Sequence, residues 1–201
     1  MTRIISGAAG GRRLATPAGS ATRPTSDRVR EALFSRLEHL DVLAGARVLD
    51  LYAGSGALAL EALSRGARAA VLVDSDRSAV KAARANSRAL GFAERVEVRR
   101  DTVERVLLGG PAGPGGPGGP EHRFDLVVLD PPYELDEQRL ADVLALLVLH
   151  AWLAADALVV LERSGRSPQP MWPSGLEASG ERRYGETRMW FADAPGPDEV
   201  A

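Results

Sequence analysis

Apolar runs of strand length alternate with helical segments along most of this chain, and that alternation constrains its fold more than any other feature. Five strands are predicted after Gly45, at residues 47–51, 69–73, 96–99, 126–129 and 158–162. Helices are predicted between them, one ending at Arg65 and the others at residues 78–90, 102–108 and 138–149. Strands that alternate with helices favour βαβ units. The sequence therefore predicts an α/β fold with a mostly parallel sheet.

Different patterns flank this alternating region. Residues 176–183 and 187–191 are predicted to form a closing hairpin, which gives the sheet an antiparallel C-terminal strand and seven strands in total. Near the start, Gly10 and Gly11 predict a turn within an extended arm or hairpin, and Ser26 is a predicted helix N-cap. The Gly/Pro-rich stretch 109–120 can form neither helix nor sheet, so we expect a mobile surface insertion there. We divide the chain into a basic N-terminal arm (1–25), a main domain (26–192) and a disordered tail (193–201).

Composition excludes several classes of protein. Cysteine is absent, which rules out disulfides, thiolate metal sites and cysteine nucleophiles. No apolar stretch reaches the roughly 18 residues of a membrane-spanning helix, and the start lacks the apolar segment of a signal peptide. We expect a cytoplasmic protein that is monomeric and uses neither a metal nor a membrane.

The charge is distributed unevenly. The whole chain has a net charge of −2, but residues 1–36 carry seven arginines against two acidic residues, which leaves +5. A local basic patch is typical of phosphate binding, although a solvated arm without a partner, in a chain of arginine-rich composition, would look the same. The candidate nucleic-acid contacts are Arg3, Arg12, Arg13, Arg23, Arg28 and Arg30.

A glycine-rich turn joins the first strand of the alternating region to its helix. Gly54 and Gly56 permit a tight turn and let a ligand approach the backbone. By itself this pattern fits a dinucleotide enzyme equally well. Tyr52, within the turn, belongs to the same candidate site.

Acidic residues at the ends of successive strands narrow the choice of cofactor. Asp50 is suited to facing the ammonium group of an amino-acid cofactor, Asp74 the ribose hydroxyls and Asp101 the adenine amino group. Ligands of open α/β sheets bind at that edge. Together the three acids describe S-adenosylmethionine better than NAD, and the adjoining Ser75 and Thr102 complete the candidate site.

The fourth strand ends in Asp130-Pro131-Pro132-Tyr133, which is the candidate catalytic motif. The Asp130 carboxylate and the Pro131 carbonyl are suited to accept hydrogen bonds from an exocyclic amino group and so to orient its nitrogen lone pair. Tyr133 is suited to stack on a base that has left its own stack. The alternative is an ordinary turn that ends a strand.

On these motifs the chain resembles the RsmD family of bacterial 16S ribosomal RNA guanine-N2 methyltransferases. The likeness covers most of residues 3–192, and its departures are the Gly/Pro insertion and the acidic tail. The matching stretches are Arg3-Ile4-Ile5-Ser6-Gly7, Gly11-Arg12-Arg13-Leu14, residues 23–34, residues 50–56, Asp130-Pro131-Pro132-Tyr133 and Tyr184-Gly185.

The resemblance implies a Rossmann-like class I methyltransferase fold with S-adenosylmethionine as cofactor. It implies methyl transfer to N2 of one guanine in 16S ribosomal RNA, with an assembled or partly assembled small ribosomal subunit as substrate. It also implies that the N-terminal arginines bind RNA phosphates and that Thr25 and Asp27 lie beside the cofactor.

Other functions remain open at this stage. A DNA adenine-N6 or cytosine-N4 methyltransferase would share the Asp130 motif, but the 201 residues contain no obvious DNA-recognition domain. A cytosine-C5 enzyme is disfavoured because it needs a cysteine, and a protein-glutamine methyltransferase usually has Asn at the position of Asp130. The remaining alternative is a non-catalytic RNA-binding assembly factor, which an intact Asp130 and Tyr133 disfavour.

Overall fold

The computed structural model describes residues 2–17, 26–112 and 119–196. The chain consists of two compact units, Met1–Asp101 and Thr102–Ala201. The predicted architecture is confirmed: an α/β fold with a seven-stranded, mostly parallel sheet and antiparallel C-terminal strands. In the described part of the chain, no helix is both long and apolar enough to cross a membrane.

The elements of the N-terminal unit are α1 (Asp27–His39), β1 (Arg47–Leu51), α2 (Ala57–Ser64), β2 (Ala69–Asp74), α3 (Arg77–Leu90) and β3 (Val96–Arg100). Its three strands are parallel and lie in the order β3-β2-β1. Strands β2 and β3 each extend one residue beyond their predicted ends, so Asp74 is the last residue of β2.

Helix α1 begins where the sequence predicts. The Ser26 hydroxyl accepts a hydrogen bond from the Val29 amide at 3.3 Å, which satisfies one of the free N–H groups of the first turn. Leu33, Phe34 and Leu37 are fully buried on one face of the helix, as their spacing indicates.

The N-terminal arm folds back on itself. Arg3 and Arg13 form an antiparallel bridge, and the Leu14 amide donates to the Thr2 carbonyl at 2.9 Å. The connection contains a 3-10 helix, Gly7–Ala9, in addition to the predicted glycine turn. A side chain at Gly7 would collide with the Ser64 carbonyl, since a Cβ there would lie 1.9 Å from that oxygen. The close approach of the arm to α2 therefore requires glycine.

The elements of the C-terminal unit are α4 (Val103–Leu108), β4 (Phe124–Leu129), α5 (Glu137–Leu149), β5 (Leu153–Ser164), β6 (Glu177–Tyr184) and β7 (Thr187–Asp193). Its four strands lie in the order β4-β5-β7-β6. Strands β4 and β5 are parallel, whereas β7 is antiparallel to both β5 and β6, so the predicted hairpin is confirmed.

Strand β5 is much longer than predicted. The prediction began at Leu158, but the strand begins at Leu153 and passes through Asp156, which has a positive φ of 58°. The pairing of β4 with β5 shifts register in the same stretch, between Phe124 and Leu126. Exposed residues in the first part of the strand break the apolar pattern, so the pattern predicts a start that is too late.

Two predicted irregular segments lie partly outside the described residues, at 113–118 and 197–201. Within the insertion, Pro120 begins a short 3-10 helix, Pro120–His122. At the predicted tail, Asp193 is the last residue of β7, and the amide of buried Ala194 donates to the Ala157 carbonyl at 2.8 Å. These two residues therefore belong to the folded unit. The division into arm, main domain and tail otherwise stays a prediction.

Candidate active site

The glycine-rich turn after β1 adopts a backbone that few side chains tolerate. Tyr52, Gly54 and Gly56 all have positive φ angles, of 62°, 55° and 79°. At Gly56 a Cβ would lie 2.6 Å from a methyl group of Leu72, whereas at Gly54 it would meet nothing within 4 Å. The turn thus packs tightly at Gly56 and leaves an open space at Gly54, where a bound group can reach the backbone.

The Asp74 carboxylate holds this turn. One of its oxygens accepts from the Gly54 amide and the other from the Asp76 amide, each at 2.8 Å. The side chain is only half-buried and its neighbour Ser75 is exposed. The structure therefore joins two predicted cofactor residues, Gly54 and Asp74, through a direct hydrogen bond.

Asp50 occupies a different environment from the one predicted. It is 1% exposed, and one of its oxygens accepts from the Ala59 amide at 3.1 Å. That amide lies in the first turn of α2, whose N-cap residue Gly56 has no side chain to cap it. Asp50 thus helps to cap a helix from the neighbouring strand. Because only 1% of Asp50 is exposed, the structure does not favour its predicted contact with the cofactor ammonium.

The third predicted acid, Asp101, follows β3 directly and is half-buried. Thr102, the next residue, is exposed and caps α4, accepting from the Arg105 amide at 3.3 Å. A further acid, Asp76, was not predicted as functional. It caps α3, and the Ser78 hydroxyl together with the Ala79 and Ser78 amides lowers its pKa below the ordinary value.

The predicted catalytic motif lies directly after β4 in the C-terminal unit. Asp130 is half-buried, Pro131 is buried and Pro132 is exposed. Tyr133 is 60% exposed, so its ring is accessible to a ligand. The Pro132 carbonyl accepts from the Leu135 amide at 3.0 Å, which closes a turn after the motif. The motif therefore presents an acidic side chain and an accessible ring on the same short segment.

Of the six predicted nucleic-acid contacts, four are exposed, one lies outside the described residues and one is buried. Arg13 and Arg28 are exposed, as is Arg12, which donates to the Ala89 carbonyl. The Arg3 side chain is 60% exposed and pairs with Asp27 at 3.3 Å. Arg23 and Thr25 lie outside the described residues. Arg30 is the buried one.

Arg30 is 1% exposed and therefore contradicts its prediction as a surface contact. Its guanidinium donates to Asp27 at 2.8 Å and to the Arg3 carbonyl at 2.5 Å, which ties α1 to the arm. Burial lowers the pKa of Arg30, and the charges of Asp27 and Glu61 oppose that effect. The sequence alone could not separate this buried arginine from its exposed neighbours.

Asn86 was not predicted, yet it links the arm to the glycine-rich turn. Its side-chain oxygen accepts from the Ala15 amide at 2.8 Å, and its side-chain nitrogen donates to the Ala15 and Ser55 carbonyls at 3.0 and 2.9 Å. The residue is 3% exposed. An asparagine among the alanines of the buried face of α3 was the available signal, because a buried carboxamide needs partners.

Glu61 makes a second link between the arm and α2. It is fully buried, and its carboxylate accepts from the Ile5 and Ser6 amides at 2.7 and 3.0 Å and from Arg65 at 2.7 Å. On the next turn of α2, the Ser64 hydroxyl accepts from the Ala9 amide at 2.9 Å. The arm is thus held by polar side chains of the helix that follows the glycine-rich turn.

A comparison with known proteins identifies the family. The family model described as Conserved hypothetical protein 95 matches residues 2–193. Ribosomal RNA small subunit methyltransferase D of Escherichia coli K12 is 33% identical over 200 residues, which are 98% of this chain and 93% of that protein. The chain belongs to the RsmD family.

Solved structures agree with the observed fold. A hypothetical protein of Thermus thermophilus, at 32% identity, has a TM-score of 0.76, and the match covers 95% of this chain and 98% of that one. An RNA methyltransferase of Salinibacter ruber, solved with S-adenosyl-L-homocysteine, has a TM-score of 0.62 at 19% identity, over 89% and 97% of the two chains. The RsmD-family resemblance and the class I methyltransferase fold predicted from the sequence are confirmed.

Proposed function

We propose that this chain methylates the exocyclic N2 amino group of a guanine in 16S ribosomal RNA, within an assembled or partly assembled small ribosomal subunit. The observation that carries the proposal is the Asp130-Pro131-Pro132-Tyr133 segment at the end of a parallel strand, with its half-buried acid and its exposed ring. Membership of the RsmD family, whose Escherichia coli relative is named a small subunit ribosomal RNA methyltransferase, supports an RNA substrate.

Asp130 and Pro131 would act on the amino group of the base. The Asp130 carboxylate and the Pro131 carbonyl would accept hydrogen bonds from the two N–H groups of that amino group. These bonds would turn the nitrogen lone pair toward the methyl donor. Rate then comes from alignment and from fixed negative charge beside a nitrogen that becomes positive as the new bond forms. Stacking of the base on Tyr133 would contribute about 1–3 kcal/mol to binding.

Three residues of the N-terminal unit fit parts of S-adenosylmethionine. The open space at Gly54 fits a group that binds against bare backbone, and the half-buried Asp74 carboxylate beside it fits a partner for ribose hydroxyls. Asp101, half-buried after the next strand, fits a partner for the adenine amino group. The cofactor supplies a methyl group activated on a sulfonium, and the residues of this chain hold and orient the two reactants.

Exposed arginines of the arm and α1 would bind RNA phosphates. Arg3, Arg12, Arg13 and Arg28 are accessible, whereas Arg30 is withdrawn from this set by its burial. Charge of this kind provides affinity and orientation but no sequence information. The identity of the target guanine must therefore be determined by its position in the folded particle and by its fit beside Tyr133.

Methylation mapping tests the proposal directly. Small subunits purified from cells that lack this enzyme would be incubated with the protein and labelled S-adenosylmethionine, and the labelled base would be located by nuclease mapping. We expect one N2-methylguanine in 16S RNA. Label on duplex DNA in a parallel reaction, with none on the small subunits, would favour the amino-methylating DNA enzyme. Cofactor binding without label on either nucleic acid would favour the assembly factor.

Asp130→Ala tests the assignment of the catalytic acid. The variant should lose at least about 10²-fold in transfer rate, because the amino group loses a charged acceptor, while cofactor binding by calorimetry stays mostly intact. Asp125→Ala is a matched control, since Asp125 is an exposed acid on the same strand. Equal rates for Asp130→Ala and the wild type would remove Asp130 from the mechanism.

A further inference from the structure

Arg163, near the end of β5, contacts the segment that follows the catalytic motif. It is 4% exposed, and its guanidinium donates to the Leu135 carbonyl at 2.9 Å and to the Glu137 carboxylate at 2.6 Å. A longer bond, of 3.4 Å, reaches the Pro132 carbonyl within the motif itself. One buried side chain thus joins β5, the motif and the start of α5.

The two prolines explain why such a contact matters. Pro131 and Pro132 have no backbone N–H, so these two residues can be held only through their carbonyl oxygens. Those oxygens need donors from other residues. Arg163 supplies these donors in a rigid planar arrangement, and the Leu135 amide adds one more to the Pro132 carbonyl at 3.0 Å.

The charge of Arg163 is balanced within the same group of contacts. A buried guanidinium is costly unless it is paired, and Glu137 provides the counter-charge at a side chain that is 33% exposed. Because Glu137 is the first residue of α5, the ion pair also ties the start of that helix to β5. The peptide planes between Pro132 and Glu137 are therefore fixed at both ends.

We propose that Arg163 is a positioning residue that fixes the Pro131 carbonyl and the Tyr133 ring for methyl transfer, and that it determines the rate of the chemical step rather than the affinity for cofactor. The inference rests on the proposed function of Asp130-Pro131-Pro132-Tyr133. Arg163 acts through the backbone of this segment and contacts neither reactant. A displacement of the segment by about 1 Å would reduce the rate by about 10²-fold.

Two substitutions separate positioning from simple stabilisation. Arg163→Lys keeps the positive charge for Glu137 but loses the planar set of donors that spans two carbonyls. Arg163→Met removes both the charge and the donors while keeping an unbranched side chain. Arg139→Gln is the matched control, because Arg139 also pairs with a glutamate, Glu104 at 3.0 Å, but is 63% exposed.

The experiment measures the single-turnover methylation rate on small subunits at saturating protein and S-adenosylmethionine. Cofactor affinity by calorimetry and the thermal midpoint are measured on the same samples. For Arg163→Lys we expect about a 10-fold slower rate, with cofactor affinity unchanged and a midpoint near that of the wild type. For Arg163→Met we expect about a 10²-fold slower rate, and for Arg139→Gln no change.

Several outcomes would overturn the inference. It fails if Arg163→Lys methylates at the wild-type rate under these saturating conditions, or if the affinity of Arg163→Lys for S-adenosylmethionine falls along with its rate. If Arg163→Met does not fold, the rate of Arg163→Lys alone decides. A wild-type protein that binds S-adenosylmethionine but transfers no methyl group to guanine would instead overturn the proposed function, which is a separate and recognisable result.

Discussion

Single buried polar side chains hold together parts of this chain that are far apart in sequence. Glu61 is fully buried in α2 and accepts hydrogen bonds from two amides of the arm, 55 and 56 residues away. Its remaining partner is Arg65, one turn along the same helix. Such a carboxylate is stable in the interior only because every contact opposes its desolvation.

Glu61→Gln should destabilise the protein by about 3 kcal/mol in urea unfolding, since it places an amide N–H₂ against buried donors and weakens the pairing of Arg65. The cost stays moderate because Arg65 also pairs with Glu38 at 3.0 Å. Glu97→Gln is the control: Glu97 pairs with Arg99 at 2.7 Å but is 57% exposed, so its loss should cost less than about 1 kcal/mol. Equal losses in both variants would show that burial of Glu61 contributes nothing.

At the scale of elements, β1, the glycine-rich turn and α2 form one connected piece. Strand β1 supplies Asp50, which caps α2, and β2 supplies Asp74, which holds Gly54. The helix therefore starts at a point fixed by two strands rather than by a capping residue of its own. The turn has little freedom to change its backbone without disturbing both strands.

Gly56→Ala and Gly54→Ala should distinguish the two roles of this turn, tight packing at Gly56 and access of the cofactor to the backbone at Gly54. Both place a side chain at a positive φ, which costs about 1–2 kcal/mol. Only at Gly56 does the added carbon collide, with buried Leu72 at 2.6 Å, and overpacking adds about 1–3 kcal/mol. Urea unfolding should rank Gly56→Ala as the less stable variant. Gly54→Ala should instead weaken S-adenosylmethionine binding in calorimetry, and the reverse ranking in stability would contradict this account.

The sequence was sufficient for the elements whose apolar pattern is uninterrupted. Strands β1 and β2 and helix α3 were predicted to within one residue, because their buried runs end at polar or glycine residues. The prediction of strand β5 was too short because two exposed residues, Ala155 and Asp156, interrupt its buried residues, and Asp156 has a positive φ. A pattern of burial does not reveal the part of a strand that lies before such an interruption.

The candidate site was predictable only where a local motif carries it. The Gly54 turn, Asp74 at the end of its strand and the Asp130 segment could each be proposed from a short stretch of sequence. Asn86 and Arg163 were not, since their partners are 71 and 28 residues away and the contact exists only in the folded chain. Arg30 was misassigned for the same reason, because an arginine's burial depends on what packs against it.

At the scale of the whole molecule, the distribution of charge matters more than its total. The net charge is −2, yet residues 1–36 carry +5, so the remaining chain is acidic. An acidic body with a basic arm is repelled by RNA in most orientations and attracted in one. The decrease of RNA affinity with salt should then come mainly from residues 1–36.

The double variant Arg12→Gln, Arg13→Gln should weaken RNA binding and flatten its salt dependence. If each arginine neutralises one phosphate, the slope of log K against log salt should fall by about 1.4 for single-stranded contacts. Filter binding at several salt concentrations measures the slope. Arg166→Gln, an exposed arginine of the C-terminal unit, serves as the control and should leave it unchanged. An unaltered slope in the double variant would remove both residues from the RNA surface.

The carboxamide of Asn86 has one more consequence. Because it bonds to Ala15 in the arm and to Ser55 in the glycine-rich turn, a ligand that orders either segment changes the cost of ordering the other. Thermodynamic linkage makes such an effect equal in both directions. If RNA binding changes the affinity for the methyl donor by some factor, donor binding changes the affinity for RNA by the same factor. Loss of the methyl group from the donor should then also change the affinity for RNA.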